Sequence, residues 1–125
     1  MTRGRALLVF QWVGFFVAPA AWFGQHVVGQ AIAQASCTVA GASWGVSNRT
    51  WQIALLGGAA TLILLSEAAA IAAFRSTRGS SYESAPPEGR VQLVAIAAMT
   101  TNLIYLVIVL LDGIVSIVET ACRQS

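Results

Sequence analysis

No formal charge falls between Arg5 and Arg49. Two further apolar stretches, 51–74 and 91–118, carry one charge each, Glu67 and Asp112. An α-helix rises ~1.5 Å per residue, so about 18 to 20 apolar residues cross ~30 Å of hydrocarbon. Three such stretches predict an all-α membrane protein of three transmembrane helices, over about 6–35, 51–74 and 91–118. They form a single transmembrane domain over 1–125 and leave almost nothing outside the bilayer.

Composition narrows the function classes. Of 125 residues, 57% are hydrophobic and 10% charged, whereas soluble domains carry ~25% charged residues. A short head, two loops and a short tail are too small to build a soluble core. A formal charge of +2 is too small to point to nucleic acid. Every basic residue is Arg, a compositional hint of a GC-rich genome. The head followed by an apolar run has the outline of a signal peptide. The run is longer than a signal h-region, and Ala33-Gln34-Ala35 lies too deep for a cleavage motif. An uncleaved first helix is expected.

Pro19 lies inside helix one, where it removes a backbone hydrogen bond and favours a kink. The last turns, 30–35, either emerge into the interface or belong to a tilted helix. Trp12, Trp44 and Trp51 lie near predicted helix ends, where indoles prefer the headgroup layer. The loop at 75–90 holds Gly79-Ser80-Ser81 and Pro86-Pro87 and is turn-rich. The head and this loop share Arg3, Arg5, Arg75, Arg78 and Arg90, against Arg49 and Arg123 on the other side. The positive-inside rule therefore predicts a cytoplasmic N-terminus, a cytoplasmic loop 75–90 and a periplasmic C-terminus.

Three crossings bring Cys37 and Cys122 to the same outer side and a similar depth. An oxidising periplasm favours a disulfide between them. It would clamp helices one and three and constrain the unfolded chain by ~4 kcal/mol. The alternative is two unrelated small apolar residues. No C-x-x-C or C-x-x-C-H is present, so redox and covalent-haem motifs are absent from the sequence.

Ionisable groups at membrane depth usually face protein or water. Glu67 reads either as a proton-relay or partner-binding acid, or as a side chain satisfied by a neighbouring helix. Thr101, Asn102, Tyr105, Asp112 and Ser116 fall on one face of helix three, which is expected to meet protein. Leu103, Val107, Leu110 and Ile114 mark the lipid face. Asp112 is close enough to the helix end to reach water. His26, the sole histidine, follows Trp22 by one turn. It reads as a contact to a neighbouring subunit, lipid headgroup or quinone ring, as one ligand of a haem shared with a partner, or as a buried residue with a backbone partner. No second histidine, acidic pair or cysteine cluster makes a metal site. Helix two offers two small-xxx-small pairs, Ala54/Gly58 and Ala69/Ala73, and is expected to be the centre of packing. Gly57-Gly58 has no phosphate-loop pattern around it.

Gly14, Pro19, Trp22 and His26 leading to Cys37, and a third helix centred on Tyr105 leading to Cys122, form a pattern. It resembles small three-helix membrane proteins encoded beside bacterial haem-copper cytochrome c oxidases and alternative complex III. The resemblance covers helices one and three. Gly29-Gln30 stands where an aromatic often follows the helix-one histidine. The resemblance implies an accessory subunit of a respiratory complex in the bacterial cytoplasmic membrane, with no catalytic residue or cofactor of its own. It also implies haem and copper in larger partner subunits, with phospholipid around it. Trp22, His26, Glu67, Asn102, Tyr105 and Asp112 are the candidate contacts to partner, lipid or quinone.

Two other functions compete with an accessory subunit. A holin-like self-assembling pore or small transporter would line a channel with Glu67 and the polar face of helix three, although internal repeats are missing. An oxidase assembly factor would use the cysteines for copper or thiol exchange, although copper prefers closely spaced soft ligands.

Overall fold

The computed structural model describes residues 3–37, 46–81, 83–119 and 122. Its helices are α1 (Arg3–Ser36), α2 (Asn48–Ser76) and α3 (Glu88–Val118), and no strand occurs among the described residues. Each helix is long and apolar enough to cross a membrane. The chain is an all-helical, multi-pass membrane protein.

The helices overrun the apolar stretches. Charged residues mark the membrane edge, but helical hydrogen bonding continues outward until a cap ends it. Ser47 caps α2: its hydroxyl accepts from the Thr50 N–H at 3.2 Å, pairing one of the N–H groups a helix start leaves free. So α2 opens three residues before Trp51. At its other end the Thr77 N–H donates to the Phe74 carbonyl, and its hydroxyl donates to Ala73 at 3.0 Å. Glu88 begins α3, where negative charge suits the helix dipole, and accepts from the Ser80 hydroxyl at 3.2 Å. Pro19 is carried inside one continuous helix.

The three helices bury seams of period 3.5. Leu7, Gln11, Gly14, Ala18, Ala21 and Gln25 are the buried line of α1, in alternating steps of four and three. Ala59, Ile63, Ser66, Ala70 and Ala73 repeat that spacing in α2. Val91, Ala95, Ala98, Asn102, Val109 and Gly113 follow it in α3. A sustained 3.5-residue seam gives left-handed packing with knobs in holes. The seams are rich in Ala, Gly and Ser because lipid supplies no hydrophobic drive, so close backbone approach must hold the helices. Gly14 shows how close: a Cβ there would stand 3.0 Å from the Ala70 backbone nitrogen.

Helix two does supply a packing seam, but one expected pair is misplaced. Ala54 and Gly58 are exposed, and a Cβ on Gly58 would meet nothing within 4 Å. The seam runs through Ala59 on the other side, because the period is set by Ile63, Ser66 and Ala70. Ala73 is buried as expected, with Ala69 half-buried beside it.

Cross-helix pairs fix the directions. Gly14 meets Ala70 and Gly29 meets Gln52, so α1 and α2 are antiparallel. Asn102 meets Gly14, and Asp112 meets His26, so α1 and α3 run the same way. The bundle therefore has a basic end, with Arg5, Arg75, Arg78 and Arg90, and a disulfide end, with Cys37 and Cys122. Leu103, Val107, Leu110 and Ile114 are exposed, as the helix-three pattern predicts. Trp12 is exposed and Trp51 half-buried, while Trp44 lies outside the described residues.

Candidate functional site

Two polar clusters in the span together contain every candidate contact named from the sequence. The first joins all three helices in the half nearer the basic end. The Gly14 carbonyl accepts from the Ser66 hydroxyl at 3.1 Å and from the Asn102 amide at 3.1 Å. Ser66 also donates to the Val13 carbonyl at 3.2 Å. The same Asn102 amide donates to the Glu67 carboxylate at 3.2 Å. Gly14 makes this possible, because its missing side chain brings the α1 backbone against α2. Polar groups from α2 and α3 then reach one carbonyl. Asn102 is 1% exposed, so the polar face of α3 is spent largely on the chain's own helices.

The second cluster lies at the α1–α3 edge, toward the disulfide end. His26 Nδ1 stands 3.3 Å from the Asp112 carboxylate. The imidazole stacks beside Trp22 at 6.1 Å between ring centroids, and Trp22 packs against Tyr105 at 5.8 Å. His26 is thus not buried with a backbone partner. Its side chain is 46% exposed and its partner is a carboxylate that is 31% exposed. His26 follows Trp22 by one turn and Asp112 follows Tyr105 by two. In parallel helices this spacing stacks the four into one patch. With Nδ1 engaged by Asp112, Nε2 is the ring nitrogen left for a further partner.

Cys37 and Cys122 form a disulfide, with Cα atoms 5.4 Å apart. This lies within the ordinary range for a bridge. It ties the ends of α1 and α3 about 15 Å along α1 from His26. Among the described residues, no group of three or more His, Cys, Asp or Glu comes together to hold a metal ion.

Sequence reasoning missed the interior amides. Gln52 donates to the Gly29 carbonyl at 3.0 Å. Gln11, Gln25 and Gln92 are buried in the seams. Gln25 lies against Gly113, where a Cβ would stand 3.1 Å from its amide nitrogen. The available signal was spacing: Gln11 and Gln25 are two heptads apart and share the line of Gly14 and Ala18.

Comparison with protein-family models, with curated proteins and with solved structures finds no match to this chain.

Proposed function

We propose that this chain is a non-catalytic accessory subunit of a bacterial respiratory electron-transfer complex, a haem-copper oxidase or its supercomplex. It sits in the cytoplasmic membrane with the basic end inside and the disulfide in the periplasm, following the Arg count. Haem and copper belong to its partner subunits, and phospholipid fills the remaining perimeter.

The observation that carries this reading is the His26–Asp112 pair at the rim of the bundle. Ionisable groups in a span normally turn inward or toward water. Here the pair stands at an outer edge, flanked by Trp22 and Tyr105, with one imidazole nitrogen open. Such an edge suits contact with a polar group of a neighbouring subunit, or with a quinone or lipid headgroup held between the two. The centre of the bundle supports packing over conduction through one copy. Ile63 and Val109, each 1% exposed or less, fill it together with Ala18 and Ala59.

Gentle detergent extraction and native electrophoresis test this. The chain is expected to co-migrate with haem-absorbing subunits, and His26→Ala is expected to release it. Migration as a homo-oligomer that conducts ions in liposomes would replace this reading with the pore.

A further inference from the structure

Glu67 makes a demand that the bundle leaves unmet. It lies nine residues before the end of α2 at Ser76, so ~14 Å in from that end, inside the span. Asn102 gives it one hydrogen bond. Among the described residues the one ion pair is His26–Asp112, and Glu67 has no cation within reach. Arg5, Arg75, Arg78 and Arg90 are exposed near the helix ends.

The surroundings are short of donors. Ser66 is spent on two backbone carbonyls. The Asn102 amide spends one N–H on Gly14 and the other on Glu67, so it has none left. Asn102 Oδ1 is buried with no donor at all. Acceptors therefore outnumber donors around a half-buried carboxylate, so the group that fits beside it is one that donates. The exposed neighbours on α2, Leu64 and Ala68, are apolar, and Ala68 is small enough to let a second helix approach.

We propose that Glu67 seats a basic side chain, Lys or Arg, presented at the same depth by a transmembrane helix of the partner. This rests on the docking role proposed above and supplies the partner's chemistry. A Lys ammonium has three donors and an Arg guanidinium five. Charge-assisted hydrogen bonds to a carboxylate are about twice as strong as neutral ones, and low dielectric strengthens them further. A partner hydroxyl brings one donor and no charge.

The test uses the full chain in liposomes with synthetic polyleucine transmembrane peptides, and reads association by energy transfer. One peptide carries a single Lys at the Glu67 depth, and matched peptides carry Gln or Leu there. The Lys peptide is expected to associate about tenfold more tightly, the scale of polar helix–helix contacts in lipid. Glu67→Gln is expected to remove the preference while keeping the helical circular dichroism of the parent, and Asp112→Asn to leave it intact. Equal association of the three peptides overturns the proposal. So does a preference that survives Glu67→Gln. A membrane-soluble carbodiimide is expected to modify Glu67 less when the Lys peptide is bound; undiminished modification means a proton occupies the site instead. Co-migration with haem subunits alongside indifferent peptides removes this inference alone. Lys-selective binding without co-migration removes the respiratory reading and leaves the seat.

Discussion

Gly14→Ala is the sharpest test of how the bundle is held. The added methyl would stand 3.0 Å from the Ala70 nitrogen and 3.1 Å from its Cα and Cβ. Carbon contacts are comfortable at ~3.5–4.0 Å, so α1 and α2 must separate by roughly half an ångström. The obstruction is helix backbone, which moves only as a body. That shift takes the Ser66 and Asn102 bonds to Gly14, both 3.1 Å, beyond useful hydrogen-bonding distance. Overpacking costs ~1–3 kcal/mol, and each lost interhelical bond about 0.6 kcal/mol in a bilayer. The sum is ~2–4 kcal/mol, against an intrinsic helix gain for Gly→Ala of ~1 kcal/mol at most. Gly58→Ala has the same intrinsic gain with nothing within 4 Å of its new methyl. The difference between the two variants therefore isolates helix contact. Unfolding by SDS in mixed micelles, followed by circular dichroism, measures it. Gly14→Ala is expected to be less stable than Gly58→Ala by ~2 kcal/mol or more. Agreement within ~0.5 kcal/mol would refute the close approach and the three-helix knot built on it.

Other consequences are equally open to measurement. Asn102→Ala removes the only side chain that bonds both α1 and α2 in that knot, and its loss is expected to cost ~1–3 kcal/mol in the same assay. Cys37→Ala with Cys122→Ala, or reduction, releases a loop of 85 residues. Chain entropy then predicts a loss of up to ~4.5 kcal/mol, read as a lower SDS midpoint. Asp112→Asn is expected to change stability by under ~1 kcal/mol, because the His26 pair is partly exposed and screened. The same variant is expected to weaken co-purification with the partner complex.

The three crossings were legible because charge is excluded from hydrocarbon so strongly that its absence alone marks a span. The cysteine bridge followed from the same count, since an odd number of crossings puts both thiols at one end. The face of α3 was legible too, with Leu103 and Val107 out and Asn102 in. What escaped was rotation about the other helix axes. Ala54 and Gly58 have the composition of a packing pair, but small residues are tolerated on either side of a lipid-exposed helix. Only the partners' seams decide which side is used. His26 was placed on the right helix without its partner, because a contact over 86 positions depends on the relative register of α1 and α3. The backbone carbonyl of Gly14, the hub of the inner cluster, leaves no trace in side-chain patterning.

The most direct test of the architecture is the sidedness of its cysteines. Membrane-impermeant maleimide is applied to intact cells after mild reduction, with Ser80→Cys in a Cys37→Ala, Cys122→Ala background reporting the basic end. Cys37 and Cys122 are expected to label together from the outside, and only after reduction, while the Ser80→Cys thiol labels only once the membrane is breached. Labelling of Cys37 and Cys122 from opposite faces would contradict the three-pass bundle and every contact between its helices.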